Sequence, residues 1–404
     1  MNVARRPEAG FSLVEALVAT AIIVSVAAAV LSVLNPARGL FSTQSEAADM
    51  QQRLRTGVDA LTRDLRNAGA GAYSGALPGS LAGYFAPIMP FRRALDSTQR
   101  DDPGVFKPDA ITLLYVPSTA MQTTVRSDMA TASSPVLLNT DSGCPREETG
   151  SVDPLCGFKA KVTKAAIFDG TGAFDLLDIT SVDAGLQALS FQSQGSLSKA
   201  YLGSSSNHVT KIVEIASHVY YFNASTGQLM HHDGFSTLTP VLENIAGLDF
   251  EYYGDPSPPA FVHPGTDQTV TYGPAPPAAD IAQAPFAPGE NCTWQISGGV
   301  QVARLASLGN AGGGLVRLTA SQLTDGPWCP DDDSMNRYDA DLLRIRKVRV
   351  MLRVQGGSDA VRGSLATGND AMFASRGMSL SRALTVADRS LRVDVSPRNL
   401  NVGR

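Results

Sequence analysis

The 404-residue sequence lacks a GxxxxGK[ST] phosphate loop, an HExxH helix, a GxSxG elbow and any CxxC pair. These absences remove the usual nucleotide cradle, zinc-peptidase centre, hydrolase nucleophile and thiol-redox or zinc-ribbon motif. The glycine run at 309–314 (GNAGGG) has neither the lysine nor the following helix that a phosphate cradle needs. A basic field is also missing. The net charge is -5 with a pI near 5.6, so nucleic acid is not an expected partner of the body as a whole. Charge is absent altogether from Ala16 to Leu34, about the 20 residues that span a bilayer as a helix.

What is present fits a folded chain: 43% hydrophobic, 18% charged, 37 Gly and 24 Pro. The length allows one large domain or two to three smaller ones, at about 100–200 residues each. The four cysteines fall as Cys144 with Cys156 and Cys292 with Cys329. An even count behind an export signal reads as two disulfides, against the alternative of four reduced, buried thiols. Four cysteines permit three connectivities; the short separations favour the local pairing.

The chain opens MNVARRPEAGFSLVEALVATAIIVSVAAAVLSVLNPARG. Arg5 and Arg6 ahead of the apolar run hold that end in the cytoplasm and deliver the remainder to the outer side. VAAAV at 26–30 imitates a secretory cleavage site, but Glu15 speaks against an ordinary signal peptide. A carboxylate at mid-membrane costs about 2.5 kcal/mol or more and wants a partner; at headgroup level the cost is small.

Gly10-Phe11-Ser12-Leu13-Val14-Glu15 before an apolar helix resembles the cleavage and methylation signal of type IV pilins and type II secretion pseudopilins. The resemblance implies cleavage between Gly10 and Phe11 by prepilin peptidase and methylation of the new terminus at Phe11. It also implies that Glu15 pairs with the amino terminus of a neighbouring subunit during assembly. More loosely, MQQRLRTGVDALTRDLRNA at 50–68, HVYYFNASTGQLMHHDG with VLENIAGLDFEYYGD, and RVDVSPRNL at 392–400 resemble the larger PilW-like minor pilins and the J-type pseudopilin.

Asn35-Pro36 is expected to kink or interrupt the helix. Beyond it, Ala47, Met50, Leu54, Val58, Leu61, Leu65 and Ala68 form one stripe spaced by three and four, which docks on a sheet. Arg53, Arg55, Asp59, Arg63, Asp64 and Arg66 are placed on the other faces, and Gly69 and Gly71 end the helix. Strands are expected at 110–116, 159–168, 174–180, 186–191, 212–222, 241–242, 248–253 and 345–355. In the last, Ile345, Val348, Val350, Leu352 and Val354 face inward, while Arg346, Lys347, Arg349, Met351 and Arg353 make a solvated face. Residues 255–290, rich in Pro, Ala and Gly, read as a surface loop or linker, and Gly356 to Met378 as a second connecting passage.

The fold class is therefore α+β: a long N-terminal helix, transmembrane then amphipathic, packed on an antiparallel sheet with an enlarged β-rich head. The organisation reads as leader 1–10, membrane helix 11–34, stalk helix 35–71, head 72–254, insertion with disulfide 255–335 and closing strands 336–404. Adjacent His231 and His232 point to opposite sides of an extended chain, so they do not share a metal, and both read as hairpin-surface residues. The best ligand-binding candidate is CPDDDSMNRYDAD at 329–341. Asp331, Asp333, Asn336, Asp339 and Asp341 supply hard oxygens of the kind that bind calcium, though not at EF-hand spacing; the alternative is a solvated acidic loop. No other cofactor is expected.

With the resemblance, these features imply a non-enzymatic minor subunit of a type IV pilus or pseudopilus, anchored in the bacterial inner membrane with a periplasmic head. Its implied partners are other pilins or pseudopilins, prepilin peptidase and an inner-membrane assembly platform. Within that class the alternative is a type II secretion pseudopilin. From a different class, it is a membrane-anchored envelope binding protein or enzyme that functions independently of Glu15.

Overall fold

The computed structural model describes residues 10, 12–71, 79–93, 100–118, 121–140, 144–192, 197–205, 208–235, 237–260, 271–309, 314–357 and 386–401, with the side chains at 33–43 set aside. One α-helix, Leu13–Asn67, runs for 55 residues. It starts where Ser12 Oγ accepts from the Glu15 amide at 3.4 Å, an N-cap that satisfies one of the free N–H groups of the first turn. It does not break at Pro36. One missing N–H costs less than ending a helix and nucleating another, which would leave free donors and acceptors on both sides.

The helix stops at Gly69, whose φ of +80° lies in the left-handed region and whose amide donates to Leu114 O at 2.9 Å. A side chain there would be strained and would strike Leu400. In its second half Met50, Leu54, Val58, Leu61, Leu65 and Ala68 are buried as the stripe predicts. Each Met, Leu or Val of this stripe contributes about 1.5–3 kcal/mol of transfer free energy, and Ala68 less. One expected detail differs: Asp64 is buried rather than solvent-facing. Arg53 pairs with Asp49, four residues earlier on the same helix.

Among the described residues the body has two two-stranded antiparallel sheets, Trp294–Ser297 with Val300–Ala303 and Trp328–Cys329 with Tyr338–Asp339, and three larger antiparallel ones. The first has five strands in the order Ile88–Met89, Ala110–Tyr115, Ala216–Asn223, Gln228–His232, Leu238–Leu242. The second has four, in the order Val316–Leu318, Ile245–Gly254, Ile345–Val354, Arg389–Val395. The helix lies against both. The third has six, in the order Gln122–Thr124, Lys211–Glu214, Lys164–Phe168, Phe174–Asp183, Ala188–Phe191, Val136–Leu137. The class is α+β with a β-rich head, as the sequence implied.

Local departures from the expected strands have local causes. The run at 212–222 is two strands meeting at Ile215, one in the six-stranded and one in the five-stranded sheet, so a single apolar stretch turns a corner. The strand expected from Lys159 begins at Lys164, because Lys161 has φ +63° and the chain turns there. Lys164–Phe168 is apolar on both faces since both are covered. Ala166 and Phe168 enter the core shared with the helix, and Ala165 and Ile167 enter a second core.

The arginine-rich strand is not the solvated face expected of it. Arg346 is 2% exposed and Met351 is also buried. Arg346 Nη1 donates to Leu343 O at 2.9 Å and Ile345 O at 2.8 Å beneath the Tyr272 ring, and burial lowers its pKa to about 10. Arg344, fully buried, pairs with Asp341 and reaches Ser257 O at 3.0 Å and Asp255 O at 3.3 Å. The Arg344 guanidinium thereby satisfies carbonyls of irregular chain that has no ladder partner, and Arg346 satisfies two around the start of its own strand. Lys347 and Arg349 meet Asp394 on the neighbouring strand, and Arg349 also meets Glu251.

Candidate functional site

The N-terminal segment is positioned by what it does not touch. Leu13–Ser32 is 20 residues long, apolar enough to cross a membrane, and exposed throughout. Val18, Ile22, Ile23, Val26, Val30 and their neighbours cover every face of the helix, a pattern for burial in lipid or among other helices. Gly10 and Glu15 are exposed. Phe11, the expected new terminus, lies outside the described residues, as do residues 1–9. Glu15 sits in the first turn, where the partial positive charge of the helix end favours a carboxylate.

The cysteines form two disulfides, Cys144–Cys156 and Cys292–Cys329, the local pairing. Cys144–Cys156 sits in the core beneath the six-stranded sheet, and Cys292–Cys329 belongs to the main core below the helix.

The acidic residues at 331–341 do not gather at one point. Asp331 accepts from the Asp333 amide at 3.0 Å, closing its own turn. Asn336 turns away to Asp175 and to Ser198 Oγ at 2.9 Å. Asp339 and Asp341 do come together, joined by Asp325, with carboxylate oxygens within 4.8 Å of one another. Burial raises the Asp339 pKa to about 7 and pushes Asp341 up as well, while Asp339 accepts backbone amides of Gly326 at 2.7 Å and Asp341 at 2.8 Å. Asp325 precedes the sequence motif by several residues and carries no local mark of its role.

A second polar cluster lies where the long helix meets the five-stranded sheet. Asp64 projects from the last turn, 7% exposed. His218 and Tyr220 share one face of their strand, and His231, paired across the ladder with Tyr220, shares it too. His218 Nδ1 lies 2.8 Å from His231 Nε2 and 3.4 Å from Asp64 Oδ2. The Tyr220 hydroxyl donates to Asp64 Oδ2 at 2.6 Å, and the Tyr115 hydroxyl lies 3.1 Å from His218 Nε2. Burial, with Asp64 nearby, pushes the Tyr115 phenol up to about 12 and Tyr220 higher. Burial and the adjacent His218 lower the His231 pKa. His231 is thus half-buried, stacked on Tyr220 and meeting His218 edge to edge, and His232, on the opposite side, is 5% exposed with Nδ1 accepting from Gly234 N at 3.0 Å. Neither is the hairpin-surface residue expected. The signal was in the spacing: residue 64 falls three after Leu61 and four before Ala68, on the buried stripe, and 218 and 220 alternate onto one strand face.

Among known families, the prokaryotic N-terminal methylation motif matches residues 5–31. The chain thus carries a prepilin-type methylation motif on an N-terminal apolar helix, consistent with a type IV pilin-like protein anchored in a membrane. No curated protein and no solved structure matches the chain.

Proposed function

We propose that this protein is a structural, non-enzymatic minor subunit of a type IV pilus or pseudopilus. It is cut by prepilin peptidase between Gly10 and Phe11, methylated at Phe11, and drawn through its N-terminal helix into a filament growing from the inner membrane. The carrying observation is the methylation motif at residues 5–31 on a helix whose apolar half, Leu13–Ser32, is exposed on all sides. Such a surface is soluble only in lipid or among like helices, so the same helix serves as anchor before assembly and as packing core after it. Glu15 gives that packing a register: a carboxylate in an apolar bundle is stable only where a cation meets it, and the amino terminus at Phe11 of a neighbour supplies one. The bulk of the β-rich head favours a place at the filament tip, where it is not repeated along the shaft. The closing strands and second disulfide brace that head.

Glu15→Ala separates this reading from an envelope enzyme or binding protein. The variant is expected to reach the membrane at normal levels yet be missing from sheared filaments. Incorporation equal to wild type would overturn the proposal.

A further inference from the structure

We propose that Asp64, His218 and His231 form a binding site for a zinc-like divalent transition ion that clasps the end of the long helix to the five-stranded sheet. This rests on the head's own geometry and is independent of the filament role. The three ligand atoms lie within 4.8 Å of one another, on one helix and two adjacent strands. His218 Nδ1 is 3.4 Å from Asp64 Oδ2. A tetrahedral ion with bonds of about 2.0–2.1 Å separates its ligand atoms by about 3.3 Å. The two imidazoles face each other ring nitrogen to ring nitrogen at 2.8 Å with planes 8° apart. Without metal, a proton must occupy that gap; with metal, the gap opens by about half an ångström and the ion takes the proton's place.

The surroundings have the features of a built site. The Tyr115 hydroxyl donates toward Asp64 Oδ1 at 3.5 Å, so at 3.1 Å it accepts from His218 Nε2–H. That bond fixes the tautomer in which Nδ1 presents its lone pair to Asp64 and His231. Tyr220 orients the carboxylate from its other side at 2.6 Å. Asp64 is buried while His218 and His231 are half-buried, so a fourth ligand to the ion would be water reaching it from the histidine side. Two imidazoles and one carboxylate select zinc, nickel or copper over calcium and magnesium, which prefer oxygen alone.

The test uses metal-depleted, full-length protein in detergent micelles, titrated with zinc chloride by calorimetry and with cobalt(II) by visible absorption. The expected result is one zinc per chain at micromolar affinity or tighter, an intense four-coordinate cobalt spectrum, and a higher melting temperature with zinc but not with calcium or magnesium. His231→Asn and Tyr220→Phe should each weaken zinc binding by about tenfold or more. If a variant fails to fold, the metal count and the cobalt spectrum of the wild-type protein decide alone. No saturable zinc binding, a six-coordinate cobalt spectrum, or folded variants with unchanged affinity would overturn the proposal.

Discussion

The Tyr220 hydroxyl donates to Asp64 Oδ2 at 2.6 Å across 156 residues of sequence, joining the last turn of the long helix to the five-stranded sheet. A buried carboxylate needs such partners, because removing a charge from water without replacing its hydrogen bonds is costly. Tyr220→Phe keeps the ring and deletes the donor. The expected loss is about 1.5–3 kcal/mol, read by chemical denaturation, with the fold retained. An unchanged midpoint would show that water replaces the hydroxyl freely.

Leu61 lies at the centre of the helix stripe with 0% exposure. Leu61→Ala removes its packing and leaves a cavity, and should cost about 2–5 kcal/mol in the same assay. A smaller effect would mean that the helix and sheets close over the gap.

The disulfides span sequence separations of 12 and 37 residues. In the chain-entropy account these closures restrict the unfolded state by about 3 and about 4 kcal/mol respectively. Replacing Cys144 and Cys156 together by Ala should therefore destabilise less than replacing Cys292 and Cys329. Non-reducing peptide mapping should recover only the two local pairs.

Asp394 is bonded by Arg349 and Lys347, which hold its pKa at about 2, below the ordinary 3.8. A depressed carboxylate stabilises the fold above its unfolded pKa, and that contribution disappears as pH falls from about 4 to about 2. The Asp394 side chain is 38% exposed, so solvent screening limits the effect to under about 1 kcal/mol. Asp394→Asn should flatten the acid limb of the stability profile slightly, and salt should shrink the difference.

The sequence made some features legible through single-residue chemistry and left others to long-range packing. The apolar run, the stripe from Met50 to Ala68, the Gly69 stop and the strand at 345–354 each obey a local period, so they could be read directly. The helix through Pro36 could not, since cooperativity on both sides outweighs one lost bond. Arg346 reads as part of a solvated face because nothing local shows that the ring of Tyr272 will fold over it, just as nothing local shows that carbonyls from residues 255–257 will fold over Arg344. Asp64, His218 and His231 each read as ordinary alone; only the docking of helix on sheet turns them into a cluster. Asn336 was grouped with its sequence neighbours, and tertiary contact with Asp175 takes it elsewhere.

The central claim, that the N-terminal helix is a prepilin-type assembly segment, is tested most directly by mass spectrometry of the protein isolated from its membrane or filament. The expected N-terminal peptide begins with N-methylated Phe11. A terminus retaining residues 1–10, or one created beyond the VAAAV stretch at 26–30, would contradict it.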